Sequence, residues 1–206
     1  MSKYIKSIED INLITRAFYK HTDDSVIKYI NRNKINISCK SGCDMCCKTI
    51  RVEILSAEVF YIVDRIKNLF SKNEIDIFLQ EMKINDEKLN GKTLIEQKDT
   101  EIKCPFLIDS KCSIYEFRPY KCRTYYGLSK NFCIADRCWT PQLNEINSDN
   151  DLKKTLNKYI KTLDTNNLDY TPAELNNALY KALVNDSIII KYLKKEKKLF
   201  SELKHF

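Results

Sequence analysis

Residues 39–50 read CKSGCDMCCKTI, which sets four of the chain's nine cysteines within nine positions. The fold turns on what holds these thiols. In a secreted chain clustered cysteines form disulfides; in a reducing cytosol they hold a metal, build a cluster or do redox chemistry. Residues 1–21, MSKYIKSIEDINLITRAFYKH, scatter charge throughout and contain no unbroken apolar run, unlike a secretory leader. No later stretch reaches the ~20 apolar residues that a bilayer span needs. The expectation is a soluble, cytoplasmic protein with reduced thiols, and an odd number of cysteines fits a closed disulfide framework poorly.

A chain of 206 residues makes one domain, or one domain with a helical extension. The division expected is a cysteine domain with N-terminal helices over 1–147, and a helical extension packed on it over 148–206. An apolar content of 43% is enough for a core, and three glycines and four prolines are few for an all-β or loop-dominated protein. The wealth of Lys, Asn and Ile marks an AT-rich bacterial genome and carries no functional weight. The net charge of +7 is a modest excess, much of it in KYLKKEKKLFSELKHF at 191–206. It permits an acidic partner without requiring one.

Hydrophobic period then places the helices. Ser7, with Asp10 three residues on, starts a helix in which Ile11, Ile14, Phe18, Val26, Ile27 and Ile30 recur at helical spacing. Beyond the cysteines, TIRVEIL (49–55) alternates apolar and polar residues as a short strand does. Ser56 reads as the cap of AEVFYIVDRIKNLF (57–70). Ser71 and Glu74 form a capping box for a helix to about Leu89, broken by Asn90-Gly91. From Cys104 to about Pro141 no helical period exists, so this stretch is expected to be irregular and held by ligand bonds. Leu152, Leu156, Tyr159, Ile160 and Leu163 mark a further helix. Thr171-Pro172-Ala173-Glu174 reads as a helix start, with Thr171 as cap and Pro172 in the first position. A last helix carries Ile189, Ile190, Leu193, Phe200 and Leu203. The fold class expected is mainly α: a helical frame around an irregular, metal-stapled, cysteine-rich centre.

The cysteines fall into sets. The first is Cys39, Cys43, Cys46 and Cys47, spaced C-x3-C-x2-C-C. The second is Cys104, Cys112 and Cys122, within CPFLIDSKCSIYEFRPYKCRTYYG (104–127), and a pair follows at Cys133 and Cys138. Thiolates are soft ligands that favour zinc, copper(I) and iron–sulfur centres. The turn Cys43-Asp44-Met45-Cys46 lets two sulfurs face one centre, and Gly42 and Asp44 tolerate the tight backbone this needs. Adjacent Cys46 and Cys47 usually diverge, so both on one ion would be strained. One is then a ligand while the other serves a second centre, a redox step or packing. A single cysteine is also a good core residue; that reading is as good as any for Cys133 and Cys138, and poor for the whole set.

Two resemblances follow. Cys39, Cys43 and Cys46 match the C-x3-C-x2-C signature of radical S-adenosylmethionine enzymes, but those resemble partial α/β barrels, and no series of βα units follows the motif here. The better match takes both sets together. The first cysteines with the short strand and LSAEV, then C-P-F-L at 104–107, C-x-I-Y at 112–115 and R-P-x-x-C-R at 118–123, resemble the YkgJ family over Cys39 to Gly127. These are bacterial proteins with a CxxCxxCC-type zinc- or iron-chelating domain. The resemblance implies a metal held by Cys39, Cys43, Cys46, Cys47, Cys104, Cys112 and Cys122. The first spacing here is x3 rather than x2, which bears on Cys39. Flagellin lysine N-methylase carries a similar cysteine domain in a longer chain, the rest of which has no counterpart in this one.

The identity of the metal follows from ligand spacing. Structural zinc commonly joins two C-x2-C knuckles; this chain has one clear knuckle, Cys43 and Cys46, and a looser one, Cys133 and Cys138. Single, scattered cysteines suit an iron–sulfur cluster of the 4Fe-4S kind, and Cys104-Pro105 echoes bacterial ferredoxin motifs. The only histidines, His21 and His205, are distant in sequence. An iron–sulfur cluster is therefore the first reading and zinc the alternative. Arg118, Lys121 and Arg123 would stabilise an anionic sulfur site, or simply form a solvated basic loop. Tyr115, Tyr120, Tyr125, Tyr126 and Trp139 would shield the metal or line a cleft.

Functionally this gives a metal protein with a redox or protein-modifying role. The alternatives are a zinc-stapled binding module and a methylase-like S-adenosylmethionine enzyme, the latter disfavoured by the scarcity of glycine. The near absence of histidine disfavours Ser–His and Cys–His catalysis, no P-loop occurs, and no catalytic residue is readable. A protein or small molecule stays open as partner, and no membrane association is expected. Nucleic acid is disfavoured, because the C-terminal lysines share one helix face without interleaved aromatics.

Overall fold

Ser7 begins the first helix as its sequence requires: its hydroxyl accepts from the Asp10 amide at 3.3 Å, and α1 runs Ile8–Arg32. The computed structural model describes residues 4–37, 39, 42–49, 52–92, 96, 100–126 and 149–200. Cys133, Cys138, Trp139 and Leu203 lie outside the described residues. The face of α1 that carries Ile11, Thr15, Phe18, Tyr19, Thr22 and Val26 is buried. Ile14 and Ile30 are half-buried, while Ile27, about 100° further round than Val26, is 56% exposed.

Two helices after the first cysteine set build the frame. α2 (Met45–Thr49) is one turn long, and β1 (Glu53–Leu55) leads into α3 (Ser56–Leu69). α3 is buried on nearly every side, Ala57 to Val63 and Ile66 included, so it is the centre of the core. The Glu58 carboxylate caps it by accepting from the Leu55 amide at 3.0 Å. Ser56, expected to be the cap, is the first helical residue instead, and its hydroxyl donates to Asp169 at 3.2 Å. α4 (Lys72–Leu89) opens on the Ser71–Glu74 capping box, with the Ser71 amide donating to Glu74 at 2.8 Å, and ends at Leu89 as expected.

The stretch 104–126 is more regular than its composition suggests. β2 (Leu107–Ile108) and β3 (Lys111–Cys112) form an antiparallel hairpin, pairing Leu107 with Cys112. Its two turn residues, Asp109 and Ser110, have φ of 48° and 58°, as a type I′ turn requires. A 3-10 turn (Tyr115–Phe117) and α5 (Tyr120–Arg123) follow. This stretch has an apolar anchor. Phe106 is fully buried edge-on to Phe78, ring centroids 5.1 Å apart, and Ile114, Phe117 and Tyr120 are buried too. Phe18 of α1 stacks on Tyr120 at 5.2 Å and on Tyr159 at 4.1 Å.

The C-terminal segment closes the frame. Asp149 caps α6 (Asn150–Thr165), accepting from the Asp151 and Leu152 amides at 2.9 and 3.2 Å, and receives Arg32 from the end of α1. α6 packs along α1, with the Thr15 and Tyr159 hydroxyls hydrogen-bonded at 2.7 Å. Pro172–Glu174, expected as the first turn of a helix, is instead β4, antiparallel to β1 with Glu53 opposite Glu174 and Leu55 opposite Pro172. Thr171 does not cap a helix; both its amide and its hydroxyl donate to Asp169 Oδ1. Glu174 caps α7 (Leu175–Val184) by accepting from the Asn177 amide at 2.8 Å. α7 packs across α3 and α4, and α8 (Ser187–Leu193) follows. The last helix expected in sequence therefore ends at Leu193. Lys195, with φ of 71°, turns the chain, and Phe200 reaches the core beside Phe60 without helical backbone. The frame is mainly helical, and α5, which carries Cys122, packs against α1 and β1.

Candidate metal centre

Cys46 and Cys47 both sit on α2, with their sulfurs 4.0 Å apart. Adjacent positions were expected to diverge, yet this single turn keeps both side chains together. The Cys104 amide donates to the Cys47 carbonyl at 2.6 Å, which seats Cys104 under α2, and the Cys104 and Cys47 thiols are hydrogen-bonded. Cys112 is on β3 and Cys122 on α5. Every one of these side chains is half-buried and in the thiol form.

Their electrostatics are mutually coupled. The hydrogen bond with Cys47, reinforced by burial, holds the Cys46 thiol far above its ordinary value. The Cys104 hydrogen bond is the leading cause that pushes Cys47 up to about 12, with the charges of Cys104 and Cys112 adding to it. Burial is the largest cause for Cys112 and for Cys122, both raised, and Cys122 also feels Cys46, Cys112 and Cys47. Crowded, desolvated sulfurs resist becoming anions together unless a cation joins them. A metal ion reverses that balance by displacing the protons. Among the described residues, no three of these donors close round one point as a finished coordination shell. The sulfurs are neighbours that a metal would draw together, and the donor set, sulfur without nitrogen, suits soft metals. Cys39 and Cys43 are half-buried on the approach to α2.

The three cations of this region have different jobs. Arg118 lies 3.7 Å from the centroid of the Tyr115 ring, donates to the Tyr115 carbonyl at 2.7 Å, and its charge favours the anionic forms of Cys112 and Cys122. Lys121 faces Glu53 at 3.4 Å. Arg123 is buried and turned into the protein: it donates to Asp23 at 2.5 Å, to the Arg118 carbonyl at 2.9 Å and to the Glu116 carbonyl. The aromatics divide likewise, Tyr120 in the core and Tyr115 56% exposed.

Two residues that hold this flank together were not recognised in the sequence. Glu58 is a buried carboxylate on α3 that accepts from the Tyr120 amide at 2.7 Å and the Tyr19 hydroxyl at 2.8 Å; burial raises its pKa. An acid inside the apolar run AEVFYIV was the available signal. Asp44, read as a turn residue, accepts from Lys48 at 2.7 Å and from the Ser110 hydroxyl at 2.7 Å, which hold its carboxyl below the usual range.

A family model described as "CxxCxxCC: Putative zinc- or iron-chelating domain" matches residues 38–138. This stretch is a CxxCxxCC domain. The CxxCxxCC domain spans every cysteine of the chain and includes the hairpin and α5, so the resemblance carried by C-P-F-L and R-P-x-x-C-R holds. Its chemistry is metal binding of the zinc or iron class. No curated protein and no solved structure matches the chain. No described helix is long and apolar enough to cross a membrane.

Proposed function

We propose that the CxxCxxCC domain holds an iron–sulfur cluster through thiolates drawn from Cys46, Cys47, Cys104, Cys112 and Cys122. The observation that carries this reading is the gathering of sulfurs from separate places: Cys46 and Cys47 4.0 Å apart on α2, Cys104 tied to the Cys47 carbonyl at 2.6 Å, and Cys112 on β3 and Cys122 on α5, whose charges are felt at the α2 sulfurs or feel them. Structural zinc commonly joins paired C-x2-C knuckles, whereas a cluster takes its four cysteines one at a time from distant loops. A bound cluster supplies one-electron redox chemistry or an open iron for a ligand. The chain supplies the half-buried sulfur nest and the Arg118 charge beside it, and a reducing cytoplasm suits both. Cys39 and Cys43 belong to the same segment as α2 and complete its sulfur supply.

A second reading is a zinc-stapled binding module, and one specific observation favours it. Two thiolates on one tetrahedral ion at ~2.3 Å stand ~3.8 Å apart, close to the 4.0 Å between Cys46 and Cys47. The thiolates of a cubane each bind a different iron and are splayed wider. Anaerobic purification followed by iron, zinc and acid-labile sulfide analysis, with an absorption spectrum, separates the two. Iron with matching sulfide and a broad visible band supports the cluster. Zinc in a colourless protein supports the second reading, and a protein that takes up neither metal overturns both.

A further inference from the structure

The two halves of the sulfur nest are anchored very differently. The Cys104–Cys122 half stands on the core through Phe106, Ile114, Phe117 and Tyr120. The Cys46–Cys47 half is a helix of five residues, too short to persist alone, and none of residues 42–48 is fully buried. Besides the contact between the Cys47 and Cys104 thiols, two hydrogen bonds between described residues join it to the other half. At its C-terminal side the Cys104 amide donates to the Cys47 carbonyl at 2.6 Å. On its N-terminal side the Ser110 hydroxyl donates to Asp44 Oδ2 at 2.7 Å. Two contacts at opposite ends fix the direction of α2 more firmly than either does alone.

The position of the second contact is specific. Asp44 stands two residues before Cys46, and Ser110 stands two residues before Cys112. Ser110 occupies the hairpin tip with φ of 58°, a left-handed conformation set by the type I′ turn, so the turn itself aims the hydroxyl. Lys48, one helical turn on from Asp44, orients the carboxylate from within α2 at 2.7 Å, with its side chain 52% exposed.

We infer that the Ser110–Asp44 hydrogen bond is a latch that sets the register of the first cysteine segment against the hairpin, which makes Ser110 and Asp44 positioning residues for the sulfur site. The inference rests on the reading of the nest as a metal centre. With the latch broken, α2 pivots about the Cys47–Cys104 contact and swings Cys46 and Cys47 away from Cys112 and Cys122. Metal then leaves sooner, and the two α2 thiols become more accessible even in the metal-free protein.

The test uses the full chain with Ser110→Ala, Ser110→Asn and Lys48→Met. Asn tolerates the left-handed turn and keeps a donor. In metal-free protein, Ser110→Ala is expected to raise the alkylation rates of Cys46 and Cys47 about tenfold, as loss of a hydrogen bond to a charged group would. Cys122 keeps its rate. Ser110→Asn and Lys48→Met stay within about twofold of the parent chain. In zinc- or iron-loaded protein the same order is expected for the rate of metal transfer to a chromophoric chelator. Unchanged Cys46 and Cys47 alkylation in Ser110→Ala, or an equal rise in Lys48→Met, overturns the latch. A parent chain that takes up no metal defeats the metal reading alone, since the metal-free alkylation contrast still judges the latch.

Discussion

Arg123 lies over the ring of Tyr19, its guanidinium carbon 4.1 Å from the ring centroid. The Tyr19 hydroxyl in turn donates to Glu58. The residue that follows Cys122 is thereby fastened to α1 and α3 before any metal is considered. The cysteine loop thus has a polar anchor as well as an apolar one, and each can be removed separately.

Replacing Arg123 by Met leaves Asp23 without its partner and Glu58 without a compensating charge. The expected loss is about 1–3 kcal/mol in the metal-free protein, the range for hydrogen bonds to a charged group, because Asp23 is 39% exposed and water takes up part of its charge. Arg123→Lys should not recover it, because one ammonium cannot serve Asp23 and the Arg118 and Glu116 carbonyls together. Urea denaturation measures both variants; full stability in either would show that the loop is anchored elsewhere.

Glu58 carries a pH signature. Its folded pKa lies above its unfolded one because burial outweighs the three hydrogen bonds it accepts. The folded state therefore holds the proton more tightly than the unfolded state. The contribution is fully present below about pH 4.3, the ordinary value, and is lost as pH rises through the folded value. Glu58→Gln has no such titration, so the stability advantage of the parent chain over this variant should shrink as pH rises above that point. Denaturation midpoints of the metal-free proteins from pH 4 to 8 test it; a difference that stays flat or grows with pH would contradict the assignment.

Phe18 joins the loop to the frame through aromatic contact, between Tyr120 and Tyr159. Phe18→Ala should destabilise the protein by about 3–5 kcal/mol, as buried Phe truncations do. It should also expose Cys122, which follows Tyr120 by two residues. Thermal melting and a Cys122 alkylation rate read the two effects together, and normal melting would remove Phe18 from the anchor.

Metal binding should be folding energy for the sulfur nest. Cys47→Ser breaks contacts with both Cys46 and Cys104, and Cys122→Ser removes the sulfur that couples to three others. Both should lose metal and lower the melting temperature of the loaded protein. Full metal content together with an unchanged melting temperature in Cys122→Ser would refute the ligand set.

Much of the frame was legible from local chemistry. Ser7 with Asp10 and Ser71 with Glu74 mark helix starts that the structure keeps, because a cap depends only on residues one turn away. Pro172–Glu174 misled for the opposite reason: its strand partner, Glu53–Leu55, lies far off in sequence, and pairing with it overrides a good helix-start pattern. The hairpin at Asp109-Ser110 was missed because its turn lacks the glycine that usually advertises a type I′ loop. In the nest, the cysteine supply was plain, but the closeness of Cys46 and Cys47 was not. Side-chain direction on a one-turn helix is fixed by what packs against it, here Cys104 and the hairpin.

The pairing of β1 with β4 also has a consequence for the order of events at the ribosome. Synthesis runs from the N-terminus and early segments begin to fold first. β1 follows directly on Cys46 and Cys47, yet its partner strand emerges only after every cysteine has been made. A nascent chain halted before residue 172 would display the complete sulfur supply on a frame that cannot yet close. Strand closure thus comes only after the whole sulfur supply has been made, and loading before it would meet a nest that is still open.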